Sequence, residues 1–247
     1  MSKLSAINIV RLIPIGILSF MSIFVVILAI FIIRSKRFKI TDKTFLASGF
    51  LFYALGAVVN ITYYILGIFV QDELLVKILY AIGISCLFLA CLCQITFQHS
   101  KRDPKFIPRR QYLITGILCL IIVISTIIMT FFFVRYNDST NWAPLWSVGY
   151  SAYYDAILVG LILVEIYEAN KIYKLLARKR TEIQSPEAAQ IRWKYFNIGF
   201  IGIASLMLLP SIANLFLNPL IRAIAGSLTA FMMFFGYIMY KGLIVRR

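Results

Sequence analysis

Asp155 sits within the apolar run 145–170, and a carboxylate surrounded by hydrocarbon must be protonated or paired. Counted from Trp146, it lies roughly 13 Å along a helix that rises 1.5 Å per residue. The expected partner is Arg222, near the start of the last apolar run, whose long side chain can turn inward. Ionisable groups at such depth are costly, which makes this pair the first candidate for function.

Polar and small residues recur around it at helical spacing. Gly49, Tyr53, Gly56, Asn60, Tyr63, Tyr64 and Gly67 follow three- and four-residue steps and share one face of a helix. Tyr154 stands beside Asp155, with Ser151 and Ser147 one and two turns before it. Asn214 follows Pro210 and Ser211 in the next apolar run. Thr229 and Gly236 belong to a further stripe that begins at Arg222. Such stripes suit helix–helix contacts in a membrane, and they equally suit a ligand cavity that opens to the outside. The sequence leaves both readings open.

Pro210 is a candidate hinge. Proline has no amide hydrogen, so the carbonyl four residues earlier, that of Leu206, loses its helical donor and needs a polar neighbour. Glu165 and Glu168 stand one turn apart further along the Asp155 run, where pairing with Lys171, Arg192 or Lys194 at the interface accounts for them.

Other chemistry is excluded by what the residues lack. His99 is the single histidine, which rules out bis-histidine haem ligation within the chain. There is no HExxH, GxSxG or phosphate-binding glycine loop, and no lysine near the middle of the last run to hold retinal. Cys86, Cys91, Cys93 and Cys119 all fall in apolar runs, where a thiol is usually buried filler. No enzymatic activity, metal or cofactor is expected.

The elements that must carry these residues are membrane spans. Of 247 residues, 61% are hydrophobic and 14% charged, with a mean hydropathy of +0.88. A soluble domain of this length cannot hide so much apolar surface in its own core. Runs of about 20 apolar residues cross a bilayer, and seven stand at approximately 12–33, 44–69, 74–97, 112–134, 145–170, 194–217 and 220–240. The first is too long for a signal-peptide core and is read as a retained helix.

Lysine and arginine set the orientation. Twenty of the 25 basic residues fall after the first, third, fifth and seventh runs; Lys3, Arg11, Lys77, Arg135 and Arg222 alone stand on the other side. The rich side is cytoplasmic, so the N-terminus lies outside and the C-terminus inside a cell membrane. The net charge of +15 therefore anchors the protein to lipid and does not point to nucleic acid. Trp142 and Trp146 suit the aromatic belt on the outer side. Asp72 is placed to cap the third helix, and Ser185-Pro186-Glu187 to start the sixth. Helices five and six should extend past the apolar core as a basic hairpin. There Arg178, Lys179 and Arg180 face anionic head groups or a cytoplasmic partner.

Seven spans, an outside N-terminus, the basic connection 171–194 and the ending Gly236-Tyr237-Ile238-Met239-Tyr240-Lys241-Gly242-Leu243 resemble the seven-helix sensory regions of prokaryotic histidine kinases. The plan is similar, more loosely, to seven-helix receptors. The resemblance implies a receptor or sensor whose output passes to a separate signalling partner through the basic loops. A small transporter or channel subunit and an assembly partner for other membrane proteins are the alternatives. The expected class is an all-α, seven-helix transmembrane bundle in one domain.

Overall fold

The computed structural model describes residues 2–35, 39–70, 72–102, 108–136, 144–178, 186–215, 221, 224–225 and 228–244. Almost all of them are helical. The helices are α1 (Ser2–Arg34), α2 (Ile40–Phe69), α3 (Glu73–Arg102), α4 (Pro108–Phe133), α5 (Val148–Arg178), α6 (Pro186–Met207), α7 (Leu209–Leu215) and α8 (Phe231–Ile244). Among the described residues six stretches are long and apolar enough to cross a membrane: Ile15–Arg34, Lys43–Gly67, Glu73–Lys101, Arg109–Phe133, Val148–Leu176 and Glu187–Ala213. The protein is thus a multi-pass helical membrane bundle.

The helix ends follow local chemistry. Asp72 caps α3 as expected, its Oδ1 accepting from the Leu75 amide at 3.1 Å. Lys77, one turn in, pairs with Glu73 at 2.8 Å. Ser147 caps α5, its hydroxyl accepting from the Tyr150 amide at 3.2 Å, so this serine is a structural cap and not a cavity group. α6 begins at Pro186, the N1 position that proline favours; Ser185 lies outside the described residues.

Two features differ from the sequence expectation. The sixth run, expected as one helix over 194–217, is broken: α6 stops at Met207, and the Leu208 amide turns back to the Ser205 carbonyl at 3.2 Å. Pro210 then occupies the first turn of α7, where its missing amide hydrogen costs no helical bond. The seventh run, expected over 220–240, is described as α8, whose 14 residues reach about 21 Å. The start of that run falls largely outside the described residues. A further small departure from an all-α chain is a two-residue antiparallel ladder, β1 (Val134–Arg135) with β2 (Leu145–Trp146), which closes the α4–α5 loop.

α3 lies at the centre, against α2, α4 and α5, and buries Phe88, Ala90, Cys91 and Phe97. α4 covers least of itself: Leu113, Leu120 and Phe132 are 60% exposed or more, a surface that only lipid can solvate. Small residues let the backbones approach. A Cβ on Gly56 would stand 3.2 Å from the Gly83 carbonyl oxygen of α3, and one on Gly199 would stand 2.5 Å from the Phe235 carbonyl oxygen of α8. α2 with α3, and α6 with α8, are therefore tightly joined pairs.

The bundle has a hairpin end, carrying β1 and β2, and a basic end, where α5 and α6 run past the apolar core. The expected contact between those extensions is present: the Tyr173 hydroxyl donates to the Gln190 carbonyl at 3.1 Å. Arg178 is the last residue of α5, and Lys179 and Arg180 lie outside the described residues.

Candidate binding cavity and buried polar cluster

The faces of α2, α3 and α5 that the sequence marks as polar meet around a cavity of about 160 Å³. Tyr53, Ala57, Asn60, Tyr63 and Tyr64 reach it from α2, Tyr80, Ile84 and Leu87 from α3, and Tyr154 from α5. Leu18 and Met21 of α1, Met207 at the end of α6, Pro144, Thr229 and Met232 complete the wall. Among the described residues no lysine, arginine, aspartate or glutamate lines it. The wall offers aromatic faces, thioethers and hydroxyl or amide tips, a lining suited to an uncharged, mostly apolar guest.

Several of the hydroxyls are held in place by the fold. Tyr53 lies 3.3 Å from the Cys91 sulfur. The Trp146 indole donates to the Tyr80 hydroxyl at 2.7 Å. Tyr63 stacks on Tyr64 with ring centroids 4.4 Å apart and meets Tyr80 edge-on at 5.3 Å. Asn60 is seated against Gly83, where a Cβ would fall 2.8 Å from its Oδ1. These contacts make the cavity wall preformed. They also correct the expectation for Trp146, which is buried among Tyr80, Tyr150 and Tyr154 and does not sit in an interfacial belt. Trp142 lies outside the described residues. Above the cluster, burial pushes the Tyr136 hydroxyl well above the ordinary phenol range, and among the described residues it has no hydrogen-bond partner.

Of the residues singled out from sequence, Asn60, Tyr63 and Tyr154 come together in this cavity. Tyr154 does more than line it. Its hydroxyl donates to the Met207 carbonyl at 2.7 Å, at the point where α6 breaks. The freed carbonyl that finds a polar neighbour is thus that of Met207, one residue on from the expected Leu206.

Asp155 points to the neighbouring side of α5 and does not line the cavity. Its Oδ2 accepts from the Ser211 hydroxyl of α7 at 2.8 Å, and its Oδ1 is buried with no hydrogen-bond partner among the described residues. The partner seen is therefore Ser211; Arg222 lies outside the described residues. Asn214 belongs to α7 by its backbone, and its side chain is likewise outside them. Tyr154 and Asp155 together tie α5 to both sides of the α6–α7 break.

A second polar group, unmarked as a unit in the sequence, lies nearer the basic end. Glu165 is fully buried and accepts from the Gln98 amide of α3, which also donates to Asn197 Oδ1 of α6 at 3.3 Å. Gln94, one turn before Gln98, is also fully buried. Glu168 is buried and stands 3.8 Å from His99 Nδ1. The expected interfacial pairing of Glu165 with Lys171, Arg192 or Lys194 is overturned: α5 turns Glu165 inward, while Lys171 contacts Tyr167 and lies over its ring. The missed signal is the pair Gln94 and Gln98, two amides four residues apart inside an apolar run. Being uncharged, they escape a search for ionisable groups.

Among the described residues no group of three histidine, cysteine or acidic side chains could hold a metal ion. The described cysteines are free thiols, three of them buried. Compared with known proteins, the chain matches no family model and no curated protein.

Proposed function

We propose that this protein is a receptor-like membrane sensor. It binds a small, uncharged, largely apolar molecule in the aromatic cavity and passes the change through α5 to the α6–α7 break. In this reading seven helices cross the membrane, the hairpin end faces outward and the basic end faces the cytoplasm, as the lysine and arginine distribution supports. The carrying observation is that one side chain, Tyr154, both lines the cavity and holds the Met207 carbonyl at the break. A guest that displaces Tyr154 releases that carbonyl, which gives the two helix packings different affinities for it, as a ligand-driven shift requires. The movable part is the joint at Leu208, since α6 is locked to α8 by close backbone contact. The basic α5–α6 extensions then present the change to anionic lipid or to a separate signalling partner.

The cavity is close in size to the roughly 150 Å³ apolar cavity that takes up benzene. Benzene and indole are therefore the probes of choice. Thermal denaturation of the full chain in nanodiscs should shift upward with either probe. Ala57→Leu, which fills the cavity from α2, should abolish the shift while leaving the protein folded. Equal shifts in the variant and the native protein would place binding elsewhere and remove the cavity from the account.

A second reading, a small transporter, draws on one observation: the interruption of a membrane helix beside buried polar groups, a device of transport sites. Flux of the same probes into proteoliposomes separates the two, because a sensor binds without net transfer.

A further inference from the structure

No residue of the Glu165 cluster lines the cavity, and the cluster contains buried acceptors with no hydrogen-bond partner among the described residues. Glu165 receives the Gln98 amide on Oε1, while its Oε2 is buried without a hydrogen-bond partner among the described residues. Gln98 Oε1 is in the same position, and so are both amide atoms of Gln94. Glu165, Gln98 and Gln94 are each 0% exposed. Buried oxygens of this kind are uncommon in native proteins, because each forfeits its hydration without compensation. Among the described residues no lysine, arginine or histidine forms an ion pair with Glu165, so its charge has no fixed counter-ion.

We propose that Glu165, with Gln98 and Asn197, forms a site for an exchangeable small monovalent cation, a proton or a sodium ion, within the membrane-embedded bundle. Three helices supply it: Glu165 from α5, Gln98 from α3 and Asn197 from α6. Asn197 Oδ1 and Glu165 Oε1 already accept from the Gln98 amide, so the acceptors left for a cation among the described residues are Glu165 Oε2 and the Gln98 oxygen. One carboxylate with a neutral amide oxygen matches a single positive charge and falls short of the several carboxylates that a divalent ion draws on. The ionisable groups that face it are Tyr53 of α2, Cys91 of α3 and Glu168 of α5 itself, with His99 of α3 beside Glu168. His99 and Glu168, 3.8 Å apart, lie further toward the basic end on α3 and α5. Because the cluster joins α3, α5 and α6, its occupancy sets how firmly the basic ends of those helices are held together.

The test uses the full chain in nanodiscs. For a proton, infrared difference spectra should show a protonated-carboxyl carbonyl band that shifts in heavy water, titrates away as pH rises, and is absent in Glu165→Gln. For sodium, replacing choline chloride with sodium chloride at equal ionic strength should raise the unfolding midpoint by several degrees in the native protein and not in Glu165→Gln. Should Glu165→Gln fail to fold, the isotope shift and the sodium response of the native protein still decide, with Asn197→Ala expected to weaken whichever is seen. A carboxyl band that neither exchanges nor titrates, together with identical midpoints in sodium and choline, would overturn the proposal.

Discussion

The Tyr154 hydroxyl donates to the Met207 carbonyl at 2.7 Å, joining the wall of a cavity to the break between α6 and α7. In hydrocarbon a backbone carbonyl without a helical donor must find another partner, because no water competes for it. Tyr154→Phe keeps the ring and removes that donor. It should lower stability by about 1 kcal/mol, the scale of hydrogen bonds measured within membranes and of neutral bonds in general. Reversible unfolding in mixed micelles measures it. No loss on removing the hydroxyl would mean that the Met207 carbonyl is satisfied without Tyr154.

Asp155 and Ser211 provide a second tie across the same break. Leaving a buried acceptor without its hydrogen-bond partner costs roughly 1–3 kcal/mol. Ser211→Ala should therefore destabilise the native protein by about 1–2 kcal/mol and cost much less when Asp155 is already alanine. The double-mutant cycle gives the coupling directly; additive effects would show that the two side chains act independently.

Close helix contact is predicted to be asymmetric around the bundle. At Gly199 a new Cβ would stand 2.5 Å from the Phe235 carbonyl oxygen, whereas at Gly116 nothing lies within 4 Å. Gly199→Ala should cost about 1–3 kcal/mol by overpacking α6 against α8. Gly116→Ala should be neutral, or stabilise by up to about 1 kcal/mol through helix propensity. Thermal unfolding of the two variants side by side checks the order.

Trp146 anchors the aromatic cluster through its ring and its indole N–H. Trp146→Phe, which retains a ring, should destabilise by about 1 kcal/mol through the lost bond to Tyr80, and Trp146→Ala by about 3–5 kcal/mol. A surface-belt tryptophan would show small losses in both, so the ratio distinguishes core from interface.

Most of the bundle was legible because hydrocarbon imposes a simple rule: every span reads as an apolar run of fixed length, and the cap at Asp72 and the start at Pro186 follow from unsatisfied helix ends. The break was foreshadowed by Pro210, yet its position at Leu208 depended on where Tyr154 could reach. Asn60, Tyr63 and Tyr154 were found because polar residues on an apolar helix recur at helical spacing. Glu165 was misread. Its neighbours in sequence, Glu168 and Lys171, suggest a surface, and only the packing of α3 and α6 against α5 reveals that it faces inward. Gln94 and Gln98 were missed because an uncharged amide leaves no mark in a charge census. Trp146 was placed at the interface by composition, whereas the β1–β2 ladder, too short to be read from two-residue segments, turns it into the core.

The central claim is that the hairpin end and the basic end of this bundle lie on opposite sides of a membrane, the hairpin outside. Arg135 and Lys174, both exposed, mark the two ends. Cysteine placed at each in turn can be treated with a membrane-impermeant maleimide on intact cells. With the hairpin outside, Arg135→Cys labels rapidly, and Lys174→Cys labels only after the membrane is opened. Labelling of Lys174→Cys from outside, with Arg135→Cys protected, would contradict that placement.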